Sequence, residues 1–196
     1  MSHYFVYDPE LKSHERLINF MVFDKEISLI SDSGVFSNKA IDKGSLFFIK
    51  TLLKENLYGK VLDLGCGYGA VGVSLKLFLK DKIEITCSDV NPKCVELTSR
   101  NLRQYDLDGK CSLSDGYLLL NGTFDFIVFN PPISIGKEKI YSLYEDSKKH
   151  LNENGKLYLV IRKDKGALSH MEYLKTLFSS VDVKHKEKGY FVIECL

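Results

Sequence analysis

The 196-residue chain predicts an α/β fold, in which a mostly parallel sheet of seven strands carries helices on both faces. Two observations lead to this prediction. Short apolar runs alternate along the chain with longer segments whose apolar positions recur at helical spacing. The last two apolar runs stand too close together for a crossover helix between them. We therefore expect one antiparallel strand at the carboxyl end of an otherwise parallel sheet.

The N-terminal part of the chain has a different pattern. Residues 17–37, LINFMVFDKEISLISDSGVFS, predict two short strands around a DKE turn, followed by a loop that contains Gly34. We predict that residues 1–44 form a short β extension packed on the main α/β domain of residues 45–196. The chain would then be a single domain overall, as its length suggests.

The remaining elements follow in regular alternation. Strands are predicted over residues 60–65, 82–89, 110–116, 124–130, 156–162, 181–187 and 189–196. Helices are predicted over residues 45–56, 70–80, 91–105, 138–151 and 167–178. Asn91 as N-cap and Pro92 at the first helical position mark the start of the third helix. The segment NENG, residues 152–155, predicts the end of the fourth, and Lys188-Gly189 predicts the turn of a closing hairpin.

Composition excludes a uniformly basic, polymer-coating protein, because the formal net charge is only +1. It leaves open a protein that binds RNA through one local patch. Basic residues do cluster in three segments: residues 147–150, 162–165 and 184–188. Each cluster is either solvated surface or part of a rim that faces phosphate groups near a site.

The five cysteines form no CxxC pair, which indicates reduced thiols and neither a zinc site nor a disulfide framework. The first ten residues lack the pattern of a signal peptide, and no apolar run approaches membrane-spanning length. The sequence therefore predicts a cytoplasmic protein that binds no metal and no membrane. Its oligomeric state is not predicted.

Three glycines stand between the first strand of the sheet and the following helix. In parallel sheets ligands bind beyond the carboxyl ends of the strands, where Gly65, Gly67 and Gly69 lie. Glycine lets a ligand approach the main chain closely. The spacing fits the GxGxG loop of enzymes that use S-adenosylmethionine (SAM), and with Ala70 it also fits the GxGxxG/A loop of dinucleotide sites.

Two aspartates follow the next two strands. Asp89, which stands 20 residues after Gly69, can accept hydrogen bonds from both ribose hydroxyls of an adenosine. Its other role would be a helix N-cap, which Asn91 already supplies. Asp115 either accepts from an adenine amino group or belongs to a simple Asp-Gly turn.

Asn130-Pro131-Pro132 ends the strongest strand pattern in a chain that has only four prolines. Proline lacks an N–H group and has a fixed φ, so this corner holds carbonyl oxygens pointing outward. The Asn130 side-chain oxygen and the Pro131 carbonyl form a pair of acceptors that suits a planar NH2 group on a nucleobase. No histidine stands at a strand end of the glycine-loop region, where a dehydrogenase would need one. The corner therefore favours methyl transfer to an amine.

Four segments taken together resemble class I SAM-dependent methyltransferases: DLGCGYGAVG, SDVNP, FDFIVFNPPI and SDSGVFSNKAIDKGS. The similarity is greatest to the methyltransferase small domain group, which includes bacterial rRNA guanine-N2 methyltransferases. It extends from about residue 16 to the C-terminus. The resemblance implies a Rossmann-like sheet and the cofactor SAM.

The resemblance also implies roles for individual residues. Asn130 and Pro131 would be catalytic, and Pro132, Ile133 and Phe36 would contact the substrate. The residues implied to bind the cofactor are Asp63, Gly65, Gly67, Gly69, Asp89, Asp115, Lys43 and Gly44. Ile133 departs from the family, which often has an aromatic residue there that stacks on the target base.

The predicted function is methylation of the exocyclic N2 amine of a guanine in ribosomal RNA, with rRNA or a ribosomal subunit as partner. One alternative is a methyltransferase that acts on a protein glutamine amide or a small-molecule amine, since the same acceptors would serve. An alternative of another class is an NAD-linked oxidoreductase or a non-catalytic nucleotide-binding module.

Overall fold

The computed structural model describes residues 12–196, which form one seven-stranded sheet, a separate two-stranded hairpin and five α-helices. The strands are β1 (Arg16–Val22), β2 (Lys25–Ser31), β3 (Gly59–Leu64), β4 (Ile83–Asp89), β5 (Lys110–Leu113), β6 (Phe124–Phe129), β7 (Leu151–Arg162), β8 (Val181–Glu187) and β9 (Tyr190–Cys195). The helices are α1 (Lys43–Leu52), α2 (Ala70–Leu79), α3 (Pro92–Gln104), α4 (Lys137–Lys149) and α5 (Ala167–Leu174).

The large sheet has the strand order β5-β4-β3-β6-β7-β9-β8. Strands β3 to β7 are parallel, and β9 is antiparallel to both of its neighbours. The chain runs outward from β3 to β5 and then returns to β6 on the other side of β3. The predicted Rossmann-like sheet with an antiparallel C-terminal strand is therefore confirmed.

Helices cover both faces of the sheet. Neighbouring residues of its central strands therefore point into two different cores. Val61 and Val128 pack into the core under α1, α2 and α3, whereas Leu62 and Ile127 pack into the core under α4 and α5. All four side chains are fully buried. The continuous apolar runs that predicted these strands reflect this burial on two sides.

The β1–β2 hairpin packs on the same core as α1. Ile18, Phe20 and Val22 alternate with exposed residues along β1 and join that core. The Asn101 side chain of α3 bonds both backbone groups of Ile30, at 2.8 Å and 2.9 Å. The division at residue 44, one residue after α1 begins, stays a prediction, and residues 1–11 of the extension lie outside the described part of the chain.

Strand β7 begins earlier than the sequence predicts, because it pairs with β6. The structure ends α4 at Lys149, and β7 already includes the segment NENG that sequence alone makes a helix stop. His150 accepts a hydrogen bond from the Phe124 backbone N–H at 2.8 Å, and the β6–β7 register shifts between Phe124 and Phe126. Pairing with β6 therefore begins before the apolar part of β7.

Among residues 12–196, no helix has the length and apolarity needed to cross a bilayer. The five cysteines are free, and all except the half-buried Cys111 are buried. In the same described range, no group of three or more His, Cys, Asp or Glu side chains is arranged to hold a metal ion.

Candidate active site

The order of strands in the sheet reverses between β3 and β6, and ligands of such sheets bind at the carboxyl ends of the strands beside this point. Leu64 and Phe129, the last residues of these strands, are register partners. The glycine loop (residues 65–69) follows β3, and Asn130 follows β6. The fold therefore places the two most informative motifs of the sequence side by side.

The glycines of the loop have different surroundings. Gly67 has φ +57° and faces open space, since a Cβ atom there would meet no atom within 4 Å. Gly69 has φ +90°, and a Cβ atom there would lie 2.8 Å from Val73 Cγ2 and 3.0 Å from the Thr98 side chain. Gly65 is exposed with φ +68°, and a Cβ atom there would meet only Phe129, at 3.7 Å. Gly65 and Gly67 are thus the open part of the loop, where a ligand can approach the backbone, and Gly69 is a packing position.

Asp89 is half-buried at the end of β4 and is bound to the glycine loop. Its Oδ2 accepts from the Gly67 backbone N–H at 2.9 Å, and its Oδ1 accepts from the Asn91 backbone N–H at 2.9 Å. Burial raises the pKa of this carboxyl group. Each carboxylate oxygen has a further lone pair, so Asp89 can also accept from two hydroxyl groups.

Asp63 lies beneath the loop, with its side chain directed at α2. It is only 3% exposed, and its Oδ2 accepts from the Gly72 backbone N–H at 2.8 Å. Burial raises the pKa of this carboxyl group to about 7. The geometry gives Asp63 a part in holding α2 against β3, and the cofactor contact implied for it stays a prediction.

The buried Asp63 predicts a pH-dependent stability. Its ordinary pKa is 3.8, and its pKa in the folded protein is about 7, so between these values the folded state binds the additional proton. Stability should therefore fall as pH rises, by up to about 1.4 kcal/mol per pH unit from this group. Asp63→Asn keeps an acceptor for Gly72 but cannot ionise. The free energy of unfolding, measured with urea, should fall more between pH 5 and pH 8 for wild type than for Asp63→Asn. Equal decreases in the two proteins would contradict this account.

Asp115 is exposed at the end of β5. It begins an Asp-Gly turn in which Gly116 has a positive φ, and its carboxylate lies 3.0 Å from Lys139 Nζ. The neighbouring Ser114 donates its N–H to the Asp89 backbone carbonyl at 3.0 Å, which holds this turn beside Asp89. The Asp-Gly turn is therefore present beside Asp89, and the adenine contact implied for Asp115 stays a prediction.

Asn130 is held by a residue that the sequence alone does not single out. Its Nδ2 donates to Ser45 Oγ at 2.9 Å. Ser45 in turn donates to Asp42 Oδ2, through its hydroxyl at 3.3 Å and its backbone N–H at 2.8 Å. Since the NH2 end of the amide is bound to Ser45, the Oδ1 end is the one left for a ligand. The available signal was the N-cap spacing of Asp42 and Ser45 at the start of α1.

The two prolines fix the next part of the corner. Pro131 is buried, and no donor among residues 12–196 takes its carbonyl oxygen. The Pro132 carbonyl accepts from the Ile135 N–H at 3.1 Å and starts a short 3₁₀ turn, Ile133–Ile135. Ile133 is half-buried and packs against the core under α4 and α5. Two acceptors, Asn130 Oδ1 and the Pro131 carbonyl, are therefore available at this strand end.

The N-terminus of α1 lines the same region. A Cβ atom on Gly44 would lie 2.6 Å from Tyr190 Cε1, so this glycine allows β9 to approach α1. Lys43 is exposed, and Phe36 is 45% exposed. Contacts of Phe36 with a substrate and of Lys43 and Gly44 with a cofactor stay predictions.

Tyr68 is a second residue that sequence alone did not indicate. It belongs to the glycine loop and is buried, but its hydroxyl group has no hydrogen-bond partner among the described residues. Burial raises the pKa of the phenol, and the Asp42 carboxylate adds to this effect. A buried hydroxyl without a partner beside the Asp42–Ser45–Asn130 network marks a position where a ligand group can be bound.

The chain is similar in sequence to proteins that include rRNA methyltransferases. Over 195 residues the chain is 39% identical to the uncharacterized protein YbxB of Bacillus subtilis, covering 98% of this chain and 96% of that protein. It is 34% identical to ribosomal RNA small subunit methyltransferase C of Actinobacillus pleuropneumoniae, covering 86% of this chain and 51% of that protein. The chain therefore spans about half the length of the relatives named as rRNA methyltransferases.

Two solved structures share the fold. A Thermus thermophilus 16S rRNA N2 G1207 methyltransferase, in complex with AdoMet and guanosine, has a TM-score of 0.81 and 25% identity, covering 95% of this chain and 52% of that one. A Pyrococcus furiosus methyltransferase has a TM-score of 0.67 and 23% identity, covering 83% of this chain and 89% of that one. The family model for the methyltransferase small domain matches residues 26–194. The predicted family is thus confirmed: the chain belongs to the methyltransferase small domain family.

Proposed function

We propose that this protein transfers a methyl group from SAM to the exocyclic N2 amine of a guanine in ribosomal RNA. The observation that carries the proposal is the Asn130 amide, whose NH2 end is bound to Ser45 so that its oxygen is left for a substrate amine. The similar Thermus thermophilus enzyme was solved with AdoMet and guanosine, which supports both the cofactor and the base. Family membership also favours methyl transfer over the oxidoreductase alternative.

The residues around the glycine loop fit SAM. The open backbone at Gly67 leaves room for a ligand, and Asp89 beside it would accept from the ribose hydroxyls. Asp115 would accept from the adenine amino group, and the unpartnered Tyr68 hydroxyl would bind a polar group of the cofactor. SAM supplies a methyl group that is already activated on a sulfonium, so the protein has mainly to position the acceptor.

The glycine loop allows cofactor binding to be separated from folding. Gly67→Ala should cost only about 1 kcal/mol of stability, from the positive φ, while weakening SAM binding because the added methyl group enters the open loop. Gly69→Ala should cost about 2–4 kcal/mol, since its Cβ atom also collides with Val73 and Thr98. Urea unfolding and calorimetric SAM titration of both variants test this order; a stable Gly69→Ala protein would contradict it.

Asn130 and Pro131 would perform the amine chemistry. A guanine N2 amine is a poor nucleophile because its lone pair is delocalised into the ring. Asn130 Oδ1 and the Pro131 carbonyl can accept hydrogen bonds from its two N–H groups and turn the lone pair towards the methyl group. They also stabilise the positive charge that develops on nitrogen during transfer. The nitrogen would release a proton to water after gaining the methyl group, whose bond to the cofactor sulfur would break as the N–C bond forms, so no base need act beforehand.

The target base would have to leave its stack to reach this corner. Ile133 would contact the base less firmly than an aromatic side chain, for which stacking contributes about 1–3 kcal/mol per base. We propose ribosomal RNA, alone or in an assembled subunit, as the partner, in the cytoplasm as the sequence predicts.

The substrate can be identified with labelled cofactor. Radiolabelled SAM is offered in parallel to undermethylated ribosomal subunits, to naked rRNA and to total protein. We expect label in RNA, present as N2-methylguanosine when the nucleosides are separated by mass spectrometry. Label confined to protein would overturn the RNA proposal in favour of the glutamine-amide alternative.

A further inference from the structure

The fold separates the basic clusters of the sequence into different ends of the sheet. Strand β7 is parallel to β6, so Arg162 at its carboxyl end lies at the same edge as Asn130. The Lys163 N–H donates to the Gly189 carbonyl at 2.8 Å, which brings the β8–β9 turn to this edge too. The cluster at residues 162–165 and the end of the cluster at 184–188 therefore lie on the side of the proposed reaction.

A further lysine connects these residues to the proline corner. Lys137 begins α4 directly after the 3₁₀ turn that follows Pro132. Its Nζ donates to Ser169 Oγ at 3.1 Å, and its Cε would lie 4.0 Å from a Cβ atom on Gly166. A continuous edge of the protein thus runs from the corner to Lys165. We call Lys137, Lys163, Lys165 and Lys188 the basic rim.

The positive charge of two lysines of the basic rim is available to a partner, whereas Lys188 lies 3.3 Å from the Glu187 carboxylate. Lys163 and Lys165 are exposed and form no ion pair within residues 12–196. The carboxylate of Asp164 between them is bound by Arg162 through two contacts, at 2.7 Å and 2.9 Å. Beside them lies a groove of about 480 Å³ lined by Arg162, Lys163, Asp164 and Gly189.

Three other lysines of these clusters have partners within the protein. Lys148 and Lys149 end α4, whose start adjoins the proline corner, so they lie at the opposite edge of the sheet. Lys149 pairs with Asp146 at 2.9 Å, and Lys148 donates to the Leu177 carbonyl. Lys184 lies 3.6 Å from each of two glutamates, Glu55 and Glu194. These three cations therefore already have partners in the protein.

We propose that the basic rim binds the phosphate backbone of the RNA that flanks the target nucleotide, an inference that rests on the proposed function. A row of exposed lysines beside a groove is complementary to a row of phosphates. Such contacts release counterions and are independent of base sequence. The rim would therefore supply affinity and orientation, while the Asn130 corner selects the base.

The test compares two double variants with the same change in charge. Lys163→Gln with Lys165→Gln removes two charges from the rim. Lys60→Gln with Lys82→Gln removes two charges from exposed residues at the start of β3 and just before β4, at the opposite edge. The affinity of each protein for a fluorescent single-stranded RNA is measured across a salt series. The rim variant should lower the slope of log K against log salt by about 1.4, or 0.7 per lost phosphate contact.

The control variant should retain the wild-type slope, and all three proteins should bind SAM equally. If wild type binds RNA and both variants show the same slope, the rim proposal is overturned and the proposed function stands. If wild type itself fails to bind this RNA, the rim proposal is overturned, whereas the labelling of rRNA and ribosomal subunits decides the proposed function separately.

Discussion

Replacing Asn130 with alanine should lower the rate of methyl transfer by about 10²- to 10³-fold while SAM affinity changes by no more than a few fold. This is the range observed for loss of a single preorganised hydrogen bond to developing charge. The variant removes one of two acceptors for the amine, whereas the glycine loop and Asp89 are untouched. Single-turnover rates with saturating RNA and calorimetric titration with SAM measure the two effects separately.

Ser45 provides the companion experiment, because it holds Asn130 without touching the amine. Ser45→Ala should lower kcat by less than Asn130→Ala does, since the amide keeps its oxygen but loses the bond at 2.9 Å that orients it. Ser45→Thr keeps a hydroxyl group and should restore most of the rate. Loss of SAM affinity in step with activity in Asn130→Ala would instead show that Asn130 is mainly structural.

Asp89→Ala should have the opposite effect and weaken SAM binding first, by about 10- to 100-fold. Hydrogen bonds to a charged group contribute about 1.5–3 kcal/mol, and tenfold in affinity corresponds to about 1.4 kcal/mol. The variant loses the proposed ribose acceptor and leaves the Gly67 and Asn91 N–H groups without their partner. Calorimetric titration with SAM and with S-adenosylhomocysteine gives the two affinities.

Asp115→Ala is the matched control for Asp89→Ala. It removes the same side chain from the end of the neighbouring strand, where the carboxylate is exposed and pairs only with Lys139 among the described residues. We expect a smaller loss of SAM affinity there, and thermal unfolding of both variants shows whether the fold is intact. A folded Asp89→Ala protein with unchanged SAM affinity would remove Asp89 from the cofactor site.

The sequence was most informative where local pattern and tertiary environment agree. Buried parallel strands have continuous apolar runs in the sequence. Asn91 followed by Pro92 predicts the start of α3. The Lys188-Gly189 turn was predictable because both residues adopt a positive φ, which glycine tolerates and which a two-residue hairpin requires. The site motifs were found by their position at strand ends, because parallel strands must bring those ends to one edge.

Other features depend on the direction of a side chain, which spacing does not specify. Asp63 stands two residues before Gly65, yet the structure turns it beneath the loop to the Gly72 N–H. Ser45 is 85 positions away from Asn130 in sequence, so no local pattern could connect them. The three basic clusters look similar in sequence. Only the direction of β7, parallel to β6, and the opposite direction of α4 place residues 162–165 at one edge of the sheet and Lys148 and Lys149 at the other.

By itself, then, the sequence determined the order of strands and helices, the family and the strand ends where chemistry is expected. These properties follow from hydrophobic periodicity and from the backbone requirements of glycine and proline, which act over a few residues. Only the tertiary structure decided which end of the Asn130 amide is free, which glycines are open to a ligand and which lysines form no ion pair within residues 12–196. Those properties arise from contacts between residues far apart in the chain, and packing alone brings such residues together.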